Sequence, residues 1–375
     1  MFKKHTTALV LGLLAGTSLS ATAAPNSDWF TDAAISPDGD TVLVAYKGDI
    51  YSVSSKGGTA VPLTVNAAWD GHPVWSRDGK QIAFASDRNG NLDIYVMPAE
   101  GGEAKRLTFH SANDIPHDFT PDGKAVTFSS TRADSAASSG FPRRALSELY
   151  SVPTSGGTPK MELTTPAFEA QWNKDGSKLL YREEKALESD LRKHDVSAFA
   201  RDIWMYDSEA GTHTQLTSFV GGDHNPLWGK GDAIFYTSEE ADSTFNVWKR
   251  DLKSGEQNQI TKFTKHPVRE LTRAKDGTLA FLHHGTVYTS GERGKPKALD
   301  ININVDGHGV DTETMSVSRA GSEFTVSPNG KEIAFVARGE VFVTSTEFKT
   351  TKRITSTPTQ ERSVDFHPDG DRLVY

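Results

Sequence analysis

Short apolar runs rich in β-branched and aromatic residues alternate along this chain with polar, glycine-bearing turns. Ile82, Ala83 and Phe84 follow one turn, and Val126, Thr127 and Phe128 follow the next. Leu179, Leu180 and Tyr181, then Ile234, Phe235 and Tyr236, then Ile333, Ala334 and Phe335 repeat the arrangement. Runs of this kind between turn signals predict buried strands. The turns themselves repeat. They read Ser36-Pro37-Asp38-Gly39, Ser76-Arg77-Asp78-Gly79, Thr120-Pro121-Asp122-Gly123 and Asn173-Lys174-Asp175-Gly176. They continue as Gly229-Lys230-Gly231-Asp232, Ala274-Lys275-Asp276-Gly277, Ser327-Pro328-Asn329-Gly330 and His367-Pro368-Asp369-Gly370. Asp-Gly and Asn-Gly supply the positive φ of a tight turn, and proline suits its earlier corner.

Successive copies stand about 40 to 56 residues apart, the length of one four-stranded propeller blade. The flanks complete the unit. An apolar or aromatic residue precedes most turns, as at Trp75, Phe119, Trp172, Trp228, Val326 and Phe366. A third strand carries Ile50-Tyr51, Ile94-Tyr95, Leu149-Tyr150, Ile203-Trp204, Val247-Trp248 or Val341-Phe342. A fourth ends in Leu63-Thr64, Leu107-Thr108, Leu163-Thr164, Leu216-Thr217, Ile260-Thr261 or Ile354-Thr355. The predicted fold is all-β: a six-bladed β-propeller over residues 24–300, then the first blade or blades of a second propeller. Residues 301–322, polar and aperiodic, read as a linker, and the repeat restarts at 323–375. The last blade stops inside its second strand, so the chain is expected to be part of a longer protein or a truncated product.

The N-terminus reads as a signal peptide over residues 1–23. Lys3 and Lys4 precede an apolar run, and Ala21-Thr22-Ala23 forms the cleavage site. Cleavage near Ala23/Ala24 predicts a periplasmic protein with no membrane attachment afterwards; a retained anchor is the alternative. The chain has no cysteine, which excludes disulfides and thiol chemistry. A net charge of −8 without a basic cluster argues against nucleic acid as a partner.

No nucleophile elbow, zinc helix, phosphate loop or dinucleotide fingerprint is present, and no cofactor is expected. The string from Asp87 to Asp93 alternates oxygen ligands like a calcium loop. Its sixth position is Leu92 and its twelfth Pro98, so it reads as a polar turn. His72, His117, His224 and His266 each stand just before a blade's first turn. Taken as equivalent positions, they are candidates for one channel mouth, where imidazoles bind an anion or a metal, or serve only as solvated loop residues. His283-His284 reads as a packed strand end or turn. The mixed charge run 185–194 reads as a solvated insertion or a contact loop.

More specific strings stand against this generic repeat. They include Tyr181-Arg182, Arg192-Lys193-His194, Ser197, Ala200-Arg201-Asp202-Ile203-Trp204 and Met205-Tyr206-Asp207. Asp223-His224-Asn225-Pro226-Leu227-Trp228, Phe245-Asn246-Val247-Trp248-Lys249 and His266-Pro267-Val268-Arg269 join them. So do Ala337-Arg338-Gly339-Glu340-Val341-Phe342 and Glu361-Arg362-Ser363. Together they resemble the N-terminal propeller of tricorn-type proteases, from about Ala24 to the end. The resemblance implies a long serine peptidase: a six-bladed propeller, a seven-bladed one, a PDZ-like module and a catalytic core, assembled as a homo-oligomer. The propellers would gate the passage of peptides. The family's catalytic serine, histidine and glutamate lie in that core, and no position here corresponds to them. The repeat alone is shared with TolB-like proteins and peptidase propellers. A non-enzymatic periplasmic binding scaffold and a propeller enzyme with a histidine-bound metal therefore stay open.

Overall fold

The computed structural model describes residues 29–133, 146–185, 189, 192–241, 244–304, 321–348, 350–357 and 359–375. The expected signal peptide lies outside them. Every regular element among the described residues is a strand.

Blade 1 consists of Asp32–Ile35, Thr41–Tyr46, Asp49–Ser54 and Gly58–Pro62, antiparallel and in chain order. Five more four-stranded sheets of the same order follow. Their innermost strands are Asp70–Trp75, Asp114–Phe119, Ala167–Trp172, Asp223–Trp228 and Val268–Arg273, in blades 2 to 6.

The repeated sequence motifs have local causes. In the first turn, the Ser36 hydroxyl donates to Asp38 Oδ1 and accepts from the Thr41 N–H. Ser76 with Asp78, Thr120 with Asp122 and Ser327 with Asn329 repeat the pair. In blades 1, 2, 4 and 5 the Leu-Thr or Ile-Thr motif after the fourth strand supplies a hydroxyl that accepts from the third strand. Thr64 takes the Ile50 N–H at 2.8 Å, Thr108 that of Ile94 at 2.9 Å and Thr261 that of Val247 at 2.9 Å.

Between blades, the second and third strands of one sheet lay an aromatic pair on its predecessor. Phe84 stacks on Tyr95 at 5.8 Å, and the pair packs on Leu43 and Ile50 of blade 1. Phe128 and Tyr150 do the same on Ala83, Ile94 and Val96 of blade 2. Each such buried side chain contributes about 1.5–3 kcal/mol. Tryptophans at the inner strand ends add hydrogen bonds, Trp75 Nε1 to the Ala34 carbonyl and Trp228 Nε1 to that of Gln171.

The ring closes between blades 6 and 1. Phe30 N–H donates to the Gly285 carbonyl, and Ile35 N–H to Thr272 Oγ1. A further strand, Ile301–Ile303, pairs in parallel with Gly58–Pro62 and makes blade 1 five-stranded. This corrects the reading of 301–322 as linker throughout. The outer strand of blade 1 would otherwise be an open edge, and the residues just after blade 6 cover it. Gly57 permits the approach, since a Cβ there would lie 2.6 Å from the Asp300 carbonyl oxygen.

The chain divides into two compact units between Asn304 and Val305. In the second, Gly321–Val326, Glu332–Ala337, Glu340–Ser345 and Thr351–Arg353 form one sheet, and Asp365–Phe366 pairs with Leu373–Val374. Val364, Phe366 and Leu373 pack on Ala334, Val336 and Val341 of that sheet.

Candidate functional site

The inner strands of blades 2, 4, 5 and 6 share a β-bulge. In each, two residues oppose one aromatic residue of the second strand. His72 and Pro73 face Phe84, and Glu169 and Ala170 face Tyr181. Asn225 and Pro226 face Tyr236, and Glu270 and Leu271 face Phe281. The first residue of each pair has left-handed backbone: φ is 51° at His72, 49° at Glu169, 50° at Asn225 and 51° at Glu270. For residues other than glycine this costs roughly 1–2 kcal/mol each. Such strain persists where surrounding contacts over-determine it. Here the bulge turns the N–H of its first residue toward the preceding blade. His72 N–H donates to Asp32 Oδ1 at 3.1 Å, and Asn225 N–H to Glu169 Oε2 at 2.6 Å.

The four candidate histidines do not share one register. His72 is the third residue of its inner strand, and His117 is the extra residue of the bulge in blade 3. His224 is second in its strand, and His266 lies before the inner strand of blade 6. Each of these inner strands runs six residues into its turn, and the histidines stand four, three, five and eight residues before theirs, so they are not equivalent positions. His266 stacks on His284 at 3.9 Å, and Trp29 meets His284 edge-on. His283 stacks on Phe263 at 3.8 Å.

A cavity at the entry-loop end of the axis is lined by Glu169, Arg192, Asp195, His224, Arg269 and Glu270, among others; it has room for a few water molecules, about 40 Å³. Its wall is an ion lattice centred on Arg182, which is wholly buried. Arg182 Nη1 donates to His224 Nδ1 at 3.0 Å and Nη2 to Glu184 Oε1 at 2.9 Å; Nε lies 3.4 Å from Glu169 Oε2. A guanidinium only donates, so His224 Nδ1 accepts and the ring proton sits on Nε2, 3.5 Å from Asp195 Oδ2. The buried Arg201 stands between Glu184, at 3.4 Å, and Asp195, at 3.8 Å. Gly222 makes room for this, since a Cβ there would lie 2.5 Å from Asp195 Oδ2.

Arg192 and Asp195 belong to an insertion between the second and third strands of blade 4. Part of the charge run read as solvated thus folds over the channel, and Arg269 of blade 6 donates to the Arg192 carbonyl at 2.7 Å. The rest, residues 186–188 and 190–191, lies outside the described residues.

Burial shifts the titration of Glu270 and His117. It pushes Glu270 up to about 8, reinforced by Asp32 and Glu169 against His72 and Arg269. It pushes His117 down to about 3, with help from the charges of His72 and Arg182. Burial would also raise Asp32, but the hydrogen bonds and charge of His72 outweigh it and hold Asp32 low. The calcium-like string has other occupations. Asn91 Nδ2 donates to the carbonyls of His110 and Ala112, and Asp93 pairs with Arg106 at 2.7 Å. Among the described residues, no three histidine or carboxylate side chains are arranged to hold a metal ion. The arrangement brings charges of both signs from separate blades together around the axis.

The sequence reading missed Asp32, Arg182, Glu169 and Glu270. Glu169 and Glu270 stand third in their inner strands, Asp32 opens that of blade 1, and Arg182 lies in the second strand of blade 4, so no single sequence position marks them.

The profile of the tricorn protease N-terminal beta propeller domain matches residues 29–295. No curated relative matches the chain. Among solved structures, the tricorn protease superposes with a TM-score of 0.67 at 19% identity, over 90% of this chain and 32% of that one. The chain therefore spans about a third of the length of that structure. A putative TolB from Agrobacterium tumefaciens gives 0.50 at 19% identity, over 64% of this chain and 83% of its own. TolB from Acinetobacter baumannii gives 0.50 at 21%, over 65% and 57%.

Proposed function

The chain belongs to the family of tricorn protease N-terminal β-propeller domains, and from that premise we propose that it is the access propeller of an exported serine peptidase. In this reading the ring passes extended peptides along its axis, to or from a catalytic core carried elsewhere in the full-length protein. That protein would assemble as a homo-oligomer in the periplasm.

The observation that carries the reading is the channel lining. Inner strands of separate blades deliver Asp32, His72, Glu169, Asn225 and Glu270 to one axis, at the cost of strained backbone in four blades. Strained backbone at polar residues is a feature that clusters at ligand-contacting sites. Charges of both signs offer partners to peptide backbone and side chains without selecting one sequence. A closed ring keeps the aperture fixed, which excludes folded proteins. The basic and apolar N-terminal residues ahead of Ala21-Thr22-Ala23 support export.

The test is photo-crosslinking in the full chain, with a benzophenone amino acid replacing Phe245 at the cavity wall. Short unstructured peptides should crosslink and compete with one another, while folded proteins of similar charge should not. Absence of peptide crosslinks would overturn the reading. Crosslinks to intact envelope proteins instead would favour a binding scaffold.

A further inference from the structure

The second residue of each blade's first turn is either proline or a cation. It is proline in blades 1 and 3, at Pro37 and Pro121, and a cation in blades 2, 4, 5 and 6, at Arg77, Lys174, Lys230 and Lys275. These turns rim the axis at the end opposite the entry loops. Two of the cations reach blades that are not their neighbours. Arg77 donates through Nη1 to the Asn173 carbonyl at 3.0 Å and through Nη2 to the Trp172 carbonyl at 2.6 Å, both in blade 4. On the way it pairs with Asp118 of blade 3 at 3.1 Å. Lys275 of blade 6 donates from its backbone N–H to Pro37 of blade 1, and from Nζ to the Arg77 carbonyl at 2.7 Å.

In a closed ring, turns of alternate blades face each other only past the axial opening. A hydrogen bond between blades 2 and 4, and another between blades 6 and 2, are therefore chords across that opening. Asp118 holds the chord from blade 2 to blade 4 in place, since the same carboxylate also accepts the Trp172 N–H at 3.1 Å.

We propose that Arg77 and Lys275 plug the turn end of the axial channel, making the propeller blind there until the Arg77 guanidinium leaves Asp118 and the blade 4 carbonyls. Arg77 is then the residue that sets what crosses the propeller. The consequence for peptides rests on the peptide-route reading above; the closure itself does not. The barrier is soft. Arg77 is partly exposed, and its release breaks one ion pair and two hydrogen bonds to carbonyls without unfolding a strand.

The absence of native cysteine makes the test direct. A single reporter thiol, His117→Cys, is introduced in the inner strand of blade 3, and its reaction with small maleimides is timed. Adding Arg77→Ala should raise the rate about tenfold, as expected when a local opening step of about one charged hydrogen bond is removed. A thiol at the exposed Ser155 should react equally in both backgrounds. An unchanged rate at residue 117, in a variant with unchanged thermal midpoint, would overturn the plug. If Arg77→Ala does not fold, Arg77→Lys retains the charge without the forked contacts and should give an intermediate rate; no increase there also overturns it. Peptide crosslinking at residue 245 needs no opening at the turn end. Crosslinks without a rate change sink the plug alone, and a rate change without crosslinks sinks the peptide route alone.

Discussion

Arg182 Nη1 lies 3.0 Å from His224 Nδ1, joining the second strand of blade 4 to the inner strand of blade 5. The pair ties an inter-blade contact to the channel wall, because the same guanidinium faces Glu169 and Glu184. Packing and the proposed passage thus depend on one buried cation.

Arg182→Met should accordingly cost about 3–5 kcal/mol, the range for removing one partner of buried ion pairs. Urea denaturation of the single variant measures it. Arg182→Met combined with Glu184→Gln should recover part of the loss, because one stranded carboxylate is neutralised. A loss below about 1 kcal/mol would mean that Glu169 and Glu184 find other partners.

Stability should fall as pH rises from neutrality to about 8. Glu270 and Asp223 are pushed up by burial, to about 8 and about 7. Asp118 is pushed up by burial to about 6. A carboxyl raised in the folded state contributes fully below its unfolded value and loses that contribution as pH climbs through the folded one. The buried histidines act oppositely. Burial lowers His117 to about 3 and His283 to about 4, so their contribution is lost as pH falls below the ordinary imidazole range of about 6.5. The two trends oppose each other in mild acid, and only the carboxyl trend remains above neutrality. Thermal midpoints across this range should slope downward, and Glu270→Gln should flatten the slope. An identical slope in that variant would refute the assignment.

Blade 5 lacks an ion pair that blades 2 and 3 have. Asp70 is held by Arg88 at 2.8 Å and Asp114 by Arg132 at 2.5 Å, whereas the matching position beside Asp223 is Glu240. Glu240→Arg should supply the missing donor and stabilise the protein at pH 8 by about 1–2 kcal/mol, the worth of a hydrogen bond to a charged group. The same substitution should also steady the pH profile. No gain, with Asp223 still titrating near neutrality by carbon-detected NMR, would count against it.

Closure can be probed in place. Asn302→Pro removes a donor from the parallel pairing of Ile301–Ile303 with Gly58–Pro62. Amide exchange in Gly58–Pro62 should quicken, and exchange in blades 3 and 4 should not. Uniform acceleration would show that the strand acts on the whole ring; no acceleration would show that the edge is protected without it.

Much of this architecture was legible in the chain. Turn, strand and Leu-Thr motifs are local: each hydroxyl or glycine acts within its own blade, so its spacing survives in sequence. The blade count follows from repetition. The site was less legible. The bulges at Glu169 and Glu270 add a residue against the partner strand, and this shifts register without leaving a motif. The four histidines stand at four different distances from their turns, and grouping them as equivalent set His72 beside residues from other positions.

The sequence by itself determined an all-β repeat of six blades and a restart, because alternation and turn chemistry act over a few residues. Only the tertiary structure decided which polar side chains share the axis, that Ile301–Ile303 returns to blade 1, and that Arg77 reaches blade 4. Those contacts join residues tens to hundreds of positions apart, and their energies depend on burial that exists only once the ring has closed.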